Sequence, residues 1–125
     1  MPRLSPSLLL LPLILAGLLA TSPARAANLR ARPRLLIVSV AAADDPRLAR
    51  QRAIMAAWRD GAAERDLRLV VLVGGRGRHP VPRGGFAVRL LGKDGHVALR
   101  SDAPLDADRL ARVIDAMPMR RAGLR

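Results

Sequence analysis

The sequence predicts a single α/β domain built as a βαβ unit, then a β-hairpin, then a closing helix. Three observations predict it. A continuous β-rich run, Leu35–Val40, has the unalternating character of a strand buried on both faces, and Leu67–Val73 reads as a second, mostly apolar strand. Strand, intervening helix and strand together take fewer than 40 residues, the length of one right-handed crossover unit. Downstream, Lys93-Asp94-Gly95 separates two further strand-like runs, and Asp-Gly is the strongest short-range hairpin signal.

The first crossover helix is expected over about residues 46–64. Asp45-Pro46 reads as an N-cap followed by proline at the first helical position. Leu48, Ile54, Met55, Trp58 and Ala62 fall on one arc, with Arg50, Arg52, Arg59 and Asp60 elsewhere. Gln51 lies inside the apolar arc, which suits a residue bonded to backbone; a role at a site is the alternative. Gly61 costs such a helix about 1 kcal/mol relative to alanine and marks fraying or close packing. The segment Gly74–Gly85 holds too many Gly, Pro and Arg residues for a helix or a central strand. Phe86–Gly92 and His96–Ser101 read as the hairpin strands. Asp106 caps a last helix with Leu110, Val113, Ile114 and Met117 on one face, and Pro118 is expected to end it.

Residues 1–26 read as a cleaved secretory leader: Arg3, then the apolar run Leu8–Ala20, then Ala24-Arg25-Ala26 before the cut. A retained anchor is the alternative, but a spanning helix needs about 20 apolar residues, and this run is shorter and broken by Pro12. Membrane contact is expected only through that segment before cleavage. With neither a twin-arginine pair nor a lipidation cysteine, general secretion to the periplasm or beyond is expected. A basic, mobile lead at residues 27–33, the domain at 34–121 and a tail at 122–125 complete the organisation.

Removing Arg3 and Arg25 with the leader leaves 20 basic against 10 acidic residues, a formal charge of +10, and Lys93 is the only lysine. This balance favours an anionic partner, an acidic protein or an envelope polymer. Nucleic acid is disfavoured, because Trp58 and Phe86 are the only aromatic residues and single-strand readers depend on aromatic platforms. The chain contains no cysteine, which excludes thiol redox chemistry, thiolate nucleophiles and cysteine-ligated metal on this chain. No cofactor is expected.

The order strand-helix-strand, hairpin, helix is the connectivity of thioredoxin-like folds. More specifically, Asp44-Asp45-Pro46-Arg47-Leu48, Ala63-Glu64-Arg65-Asp66-Leu67, Gly84-Gly85-Phe86, Gly92-Lys93-Asp94-Gly95 and Ile114-Asp115-Ala116-Met117-Pro118-Met119-Arg120-Arg121 resemble the domain-of-unknown-function 4174 family. The resemblance spans about Arg34 to Arg121. It implies a thioredoxin-like fold in exported bacterial proteins, with similarity to domains in vertebrate extracellular-matrix proteins, and it brings no established activity. The chain departs from thioredoxins at Ala42–Arg47, which lacks the reactive cysteines, and at Gly84-Gly85, where a cis-proline is usual, although Pro82 is near. It is also a reduced version, since Gly74–Gly85 replaces the helix between the second and third core strands. One sheet face is therefore expected to be uncovered, and masked by a homodimer first, otherwise by a partner or the lead segment.

That connectivity places the Ala41–Asp45 loop and Gly74–Gly85 at one edge, beyond the carboxyl ends of the parallel strands, where open α/β sheets bind ligands. Arg47, Arg76, Arg78, His79 and Arg83 would gather there near a helix N-terminus, which favours anions. The low-ranking site is thus Arg47, Arg76, Arg78 and Arg83, with no catalytic residue. Asp44 and Asp45 compete for the same spot, and a solvated basic loop is the plainer reading. The phosphate-loop pattern is missing. The leading reading is a non-catalytic binding module; an anion-binding or enzymatic domain using this loop is the rival. His79 and His96 are too far apart in the chain to suggest a metal site. Asp94 beside Lys93 reads as a turn residue, Ser39 lacks a neighbouring base, and Arg120, Arg121 and Arg125 read as a solvated basic end.

Overall fold

A computed structural model describes residues 22–75 and 78–123. The apolar run of the expected leader lies outside the described residues, as do Arg76, Gly77, Leu124 and Arg125. The elements are α1 (Pro23–Ala31), β1 (Arg34–Val40), α2 (Pro46–Ala57), α3 (Arg59–Glu64), β2 (Leu67–Val73), β3 (Phe86–Leu91), β4 (Val97–Ser101), α4 (Ala107–Asp115) and α5 (Pro118–Arg121). The α/β class and the expected order of strands and hairpin are present.

The four strands form one sheet in the order β2-β1-β3-β4. β1 and β2 run parallel, with Leu36 opposite Leu69 and Val38 opposite Val71. β1 and β3, and β3 and β4, are antiparallel, with Val38 opposite Val88 and Leu90 opposite Leu99. Because side chains alternate along a strand, Leu36, Val38, Val40, Phe86, Val88 and Leu90 share one face. Leu48, Met55 and Ala62 from the first crossover and Leu105, Leu110 and Ile114 from the last join them in the core. The opposite face carries Leu35, Ile37, Ser39, Val70, Leu72, Ala87, Arg89 and Leu91. Among its described residues the connection from β2 to β3 holds no α-helix: it has a β-bridge residue at His79 and a 3-10 turn at Arg83–Gly85.

Local chemistry explains the helix ends. The Asp45 side chain accepts from the Arg47 N–H, and Pro46 takes a first-turn position where its missing N–H is not needed. Asp106 likewise accepts from the Arg109 N–H at 2.7 Å. Inside α2, Gln51 is fully buried and bonds the backbone of Leu105 twice, its Nε2 donating to Leu105 O at 3.0 Å and its Oε1 accepting from Leu105 N at 2.8 Å. It fastens α2 to the segment that enters α4.

Three expectations are corrected. The single helix over residues 46–64 is broken at Trp58, whose backbone (φ −104, ψ 22) separates α2 from α3. There the Trp58 ring lies over Gly61, so close that a Cβ on Gly61 would sit 2.0 Å from the indole Nε1. Close packing, not fraying, is therefore the role of this glycine. Pro118 does not end the last helix. α4 stops at Asp115, and Pro118 opens the further turn α5 from its first-turn position. Finally, part of the lead expected to be mobile is helical: residues 27–31 belong to α1, which begins before the expected cleavage point.

Candidate functional site

At the carboxyl end of the parallel strands, the two expected loops do meet. Ala41 N–H donates to Gly85 O at 2.9 Å, and Gly85 adopts φ +77, a conformation that favours glycine, beside Ala41 and Arg47. Arg47 bridges them. Its Nε and Nη2 donate to the two Asp45 carboxylate oxygens at 3.0 and 2.7 Å, and Nη2 also donates to Gly84 O at 2.8 Å. The guanidinium lies 5.1 Å from the centre of the Phe86 ring. The hydrogen bond from Arg47 lowers the Asp45 pKa below its ordinary value, and the same bond raises that of Arg47. This arginine is thus committed to a carboxylate, a carbonyl and an aromatic face.

Among the described residues, no hydrogen bond or ion pair joins the other members of the expected cluster to Arg47. Arg78 and Arg83 are exposed, and Arg76 lies outside the described residues. His79 Nδ1 sits 3.0 Å from Arg89 Nη2, on the sheet face opposite the helical core. Its companion His96 pairs with Asp94 at 3.2 Å in the hairpin turn, and the Asp94 side chain also accepts from His96 N–H at 3.0 Å. Among the described residues, no three His, Cys, Asp or Glu side chains are grouped to hold a metal ion. No helix of the described residues is long and apolar enough to cross a membrane.

The opposite end of the sheet gathers more charge than the sequence reading anticipated. Asp66, in the left-handed region at φ +49, starts the turn into β2, and its backbone carbonyl accepts from Arg34 N–H at 2.8 Å. Lys93, buried, uses all three ammonium donors: to Asp66 Oδ2 at 2.8 Å, Arg30 O at 3.0 Å and Arg32 O at 2.9 Å. Arg65 makes a two-pronged pair with Asp115, both bonds 3.0 Å, and donates to Gly61 O at 3.1 Å. Its guanidinium rests 5.4 Å from the Trp58 ring centre. Arg120 joins Glu64 at 2.6 Å to Asp115 at 3.2 Å. Hydrogen bonding to Arg65 holds the Asp115 pKa below its usual value, and hydrogen bonding to Arg120 does the same for Glu64.

Within this group Arg34 stands apart. It is fully buried, and its Nη1 donates to Arg65 O at 2.6 Å. Its Nε and Nη2 are buried and have no hydrogen-bond partner among the described residues. Glu64, Asp66 and Asp115 each pair with another cation, and Arg34 pairs with none of them. Burial first, then the charge of Arg120, lowers the Arg34 pKa from its ordinary value, against smaller raising effects of Asp66 and Asp115. Arg34 also lines a cavity of about 200 Å³ whose other walls include Val97, Ala98, Met117, Pro118 and Met119. Exposed His96 and Ala98 stand at its rim.

Residues 76–123 match the model of the family described as Domain of unknown function (DUF4174), the family indicated by the sequence motifs. The matched stretch holds three of those motifs: Gly84-Gly85-Phe86, Gly92–Gly95 and Ile114–Arg121. No curated protein gives a significant match, and no solved structure does. Two of the three motifs, together with Glu64-Arg65-Asp66 from an earlier one, build the charged end around Arg34. Sequence reading missed this because Arg34 stands at the first position of the domain, directly before the apolar run, and no local motif marks it as buried. The signal that was available is Lys93, the one lysine among arginines, set in a turn.

Proposed function

We propose that this chain is an exported, cysteine-free thioredoxin-like module that acts by binding an acidic protein or a cell-envelope polyanion, and that it self-associates through the sheet face opposite the helical core. Support for the fold reading is the strand order β2-β1-β3-β4, with a parallel first pair and antiparallel pairs at β1/β3 and β3/β4. This is the order expected of a thioredoxin-like core. Export rests on the leader pattern of residues 1–26.

One observation carries the binding reading. A thioredoxin-like oxidoreductase keeps its reactive cysteines where the first strand meets its helix; here Asp45 and Arg47 fill that place and bond to each other and to Gly84. The position serves as a brace, while the arginines that remain exposed, among them Arg50, Arg52, Arg78, Arg83, Arg109 and Arg112, offer the outer surface to a polyanion.

Retention of the purified protein on immobilised polyglutamate tests this. Retention is expected to fall steeply as salt rises through the range where surface charges are screened, and to weaken in Arg78→Glu and Arg83→Glu. Salt-insensitive behaviour, or turnover of a disulfide or peroxide by the chain alone, would overturn it.

A further inference from the structure

We infer that the cavity walled by Arg34, Val97, Ala98, Met117 and Met119 binds a short apolar monocarboxylate, with the Nε–Nη2 edge of Arg34 as its two-pronged partner. The site lies at the start of β1 and the basic loop beyond its end, about 20 Å away at strand spacing. It is therefore separate from the surface on which the binding reading rests.

Three observations lead to this ligand class. First, a buried guanidinium with two unbonded N–H groups is costly unless something satisfies it, and the groups of Arg34 left unpaired are its Nε and Nη2. Those two atoms form one edge of the planar fork, whose geometry matches the two oxygens of a carboxylate. Nη1 is taken by the Arg65 carbonyl, so that edge is the one left for a ligand. Second, no carboxylate among the described residues pairs with Arg34. Glu64, Asp66 and Asp115 each pair with another cation, and Asp94, which also lines the cavity, pairs with His96.

Third, apart from Lys93, Asp94 and His96 the walls away from Arg34 are apolar and adaptable. Met117 and Met119 project from either side of Pro118, and Val97 and Ala98 come from β4. Thioethers fill irregular apolar gaps well. At about 30 Å³ for each water-sized group, a cavity of about 200 Å³ admits some six or seven non-hydrogen atoms. Butyrate has that size. The lowering of the Arg34 pKa by burial and by Arg120 is the penalty that a bound carboxylate would relieve.

Titration with butyrate, followed through the methyl NMR signals of Met117 and Met119, tests the assignment, with butyramide as the uncharged isostere and inorganic phosphate as the tailless anion. Saturable shifts at both methionines are expected. Butyramide and phosphate should bind at least about tenfold more weakly, a difference of about 1.4 kcal/mol. Arg34→Lys keeps the charge and removes the fork, and is expected to lower butyrate affinity about tenfold or more. Should that variant fail to fold, Ala98→Phe at the exposed rim gives the same reading by filling the cavity. The inference is overturned by equal binding of butyramide, by phosphate binding as tightly, by Ala98→Phe leaving butyrate affinity unchanged, or by no saturation up to about 10 mM, the weak limit for so small a ligand. None of these outcomes depends on polyglutamate retention.

Discussion

Gln51 shows what one polar side chain can do inside an apolar helix face. Its amide reproduces a strand-like exchange with Leu105, one bond in each direction, and it is completely buried. Gln51→Leu retains most of the volume but strands the Leu105 N–H and C=O away from water. At about 1–3 kcal/mol for each unsatisfied group, the loss in unfolding free energy should be roughly 2–5 kcal/mol by urea titration; a loss under about 1 kcal/mol would show that water or a backbone shift satisfies both groups. Gly61 is the complementary case. Alanine is the better helix former by about 1 kcal/mol, yet a Cβ would collide with the Trp58 indole. Gly61→Ala is expected to destabilise by about 1–3 kcal/mol, the usual cost of overpacking, and to shift the emission of Trp58, the single tryptophan.

At the scale of elements, charged side chains join pieces that share little apolar surface. Lys93 holds the carbonyls of Arg30 and Arg32 while paired with Asp66, so the hairpin turn anchors the segment leading into β1. Lys93→Met should release that segment and speed tryptic cleavage after Arg30; unchanged cleavage would mean that α1 is held by other contacts. Glu64, Arg120, Asp115 and Arg65 link the ends of α3, α4 and α5. The pKa values of Asp115 and Glu64 are lowered in the folded chain. Their contribution is therefore present above the ordinary carboxylate range and is lost as pH falls below it through the lowered folded values. The melting temperature should decline across that acid window, and Asp115→Asn should lower it at neutral pH while flattening the acid dependence. An identical acid profile in this variant would assign the decline to other carboxylates.

At the scale of the whole molecule, the class, the order of elements along the chain and the irregular character of the described connection after β2 were legible because each has a short-range cause: largely apolar runs, an Asp-Gly turn, and a stretch too rich in Gly and Pro to be helical. The charged end was not. Arg34, Asp66, Lys93 and Asp115 are distant in sequence, and only the sheet register and the return of α4 bring them together. The same register leaves Leu35, Ile37, Val70, Leu72 and Leu91 on the face opposite the helical core. Of these, only Ile37 is buried; the rest are partly accessible. Soluble monomers rarely leave an apolar patch of more than several hundred Å² open, which is the basis for proposing self-association there. Salt separates this contact from the polyanion contact. Two copies of a chain with formal charge +12 over its full length repel each other, so screening should strengthen an apolar dimer while weakening retention on polyglutamate. Sedimentation at about 10 µM, a concentration that reports dissociation constants in the micromolar range, should therefore show a dimer favoured by added salt. Leu72→Glu on the open face should leave a folded monomer at every salt concentration, and a wild-type chain that stays monomeric throughout would remove this face from the account of binding.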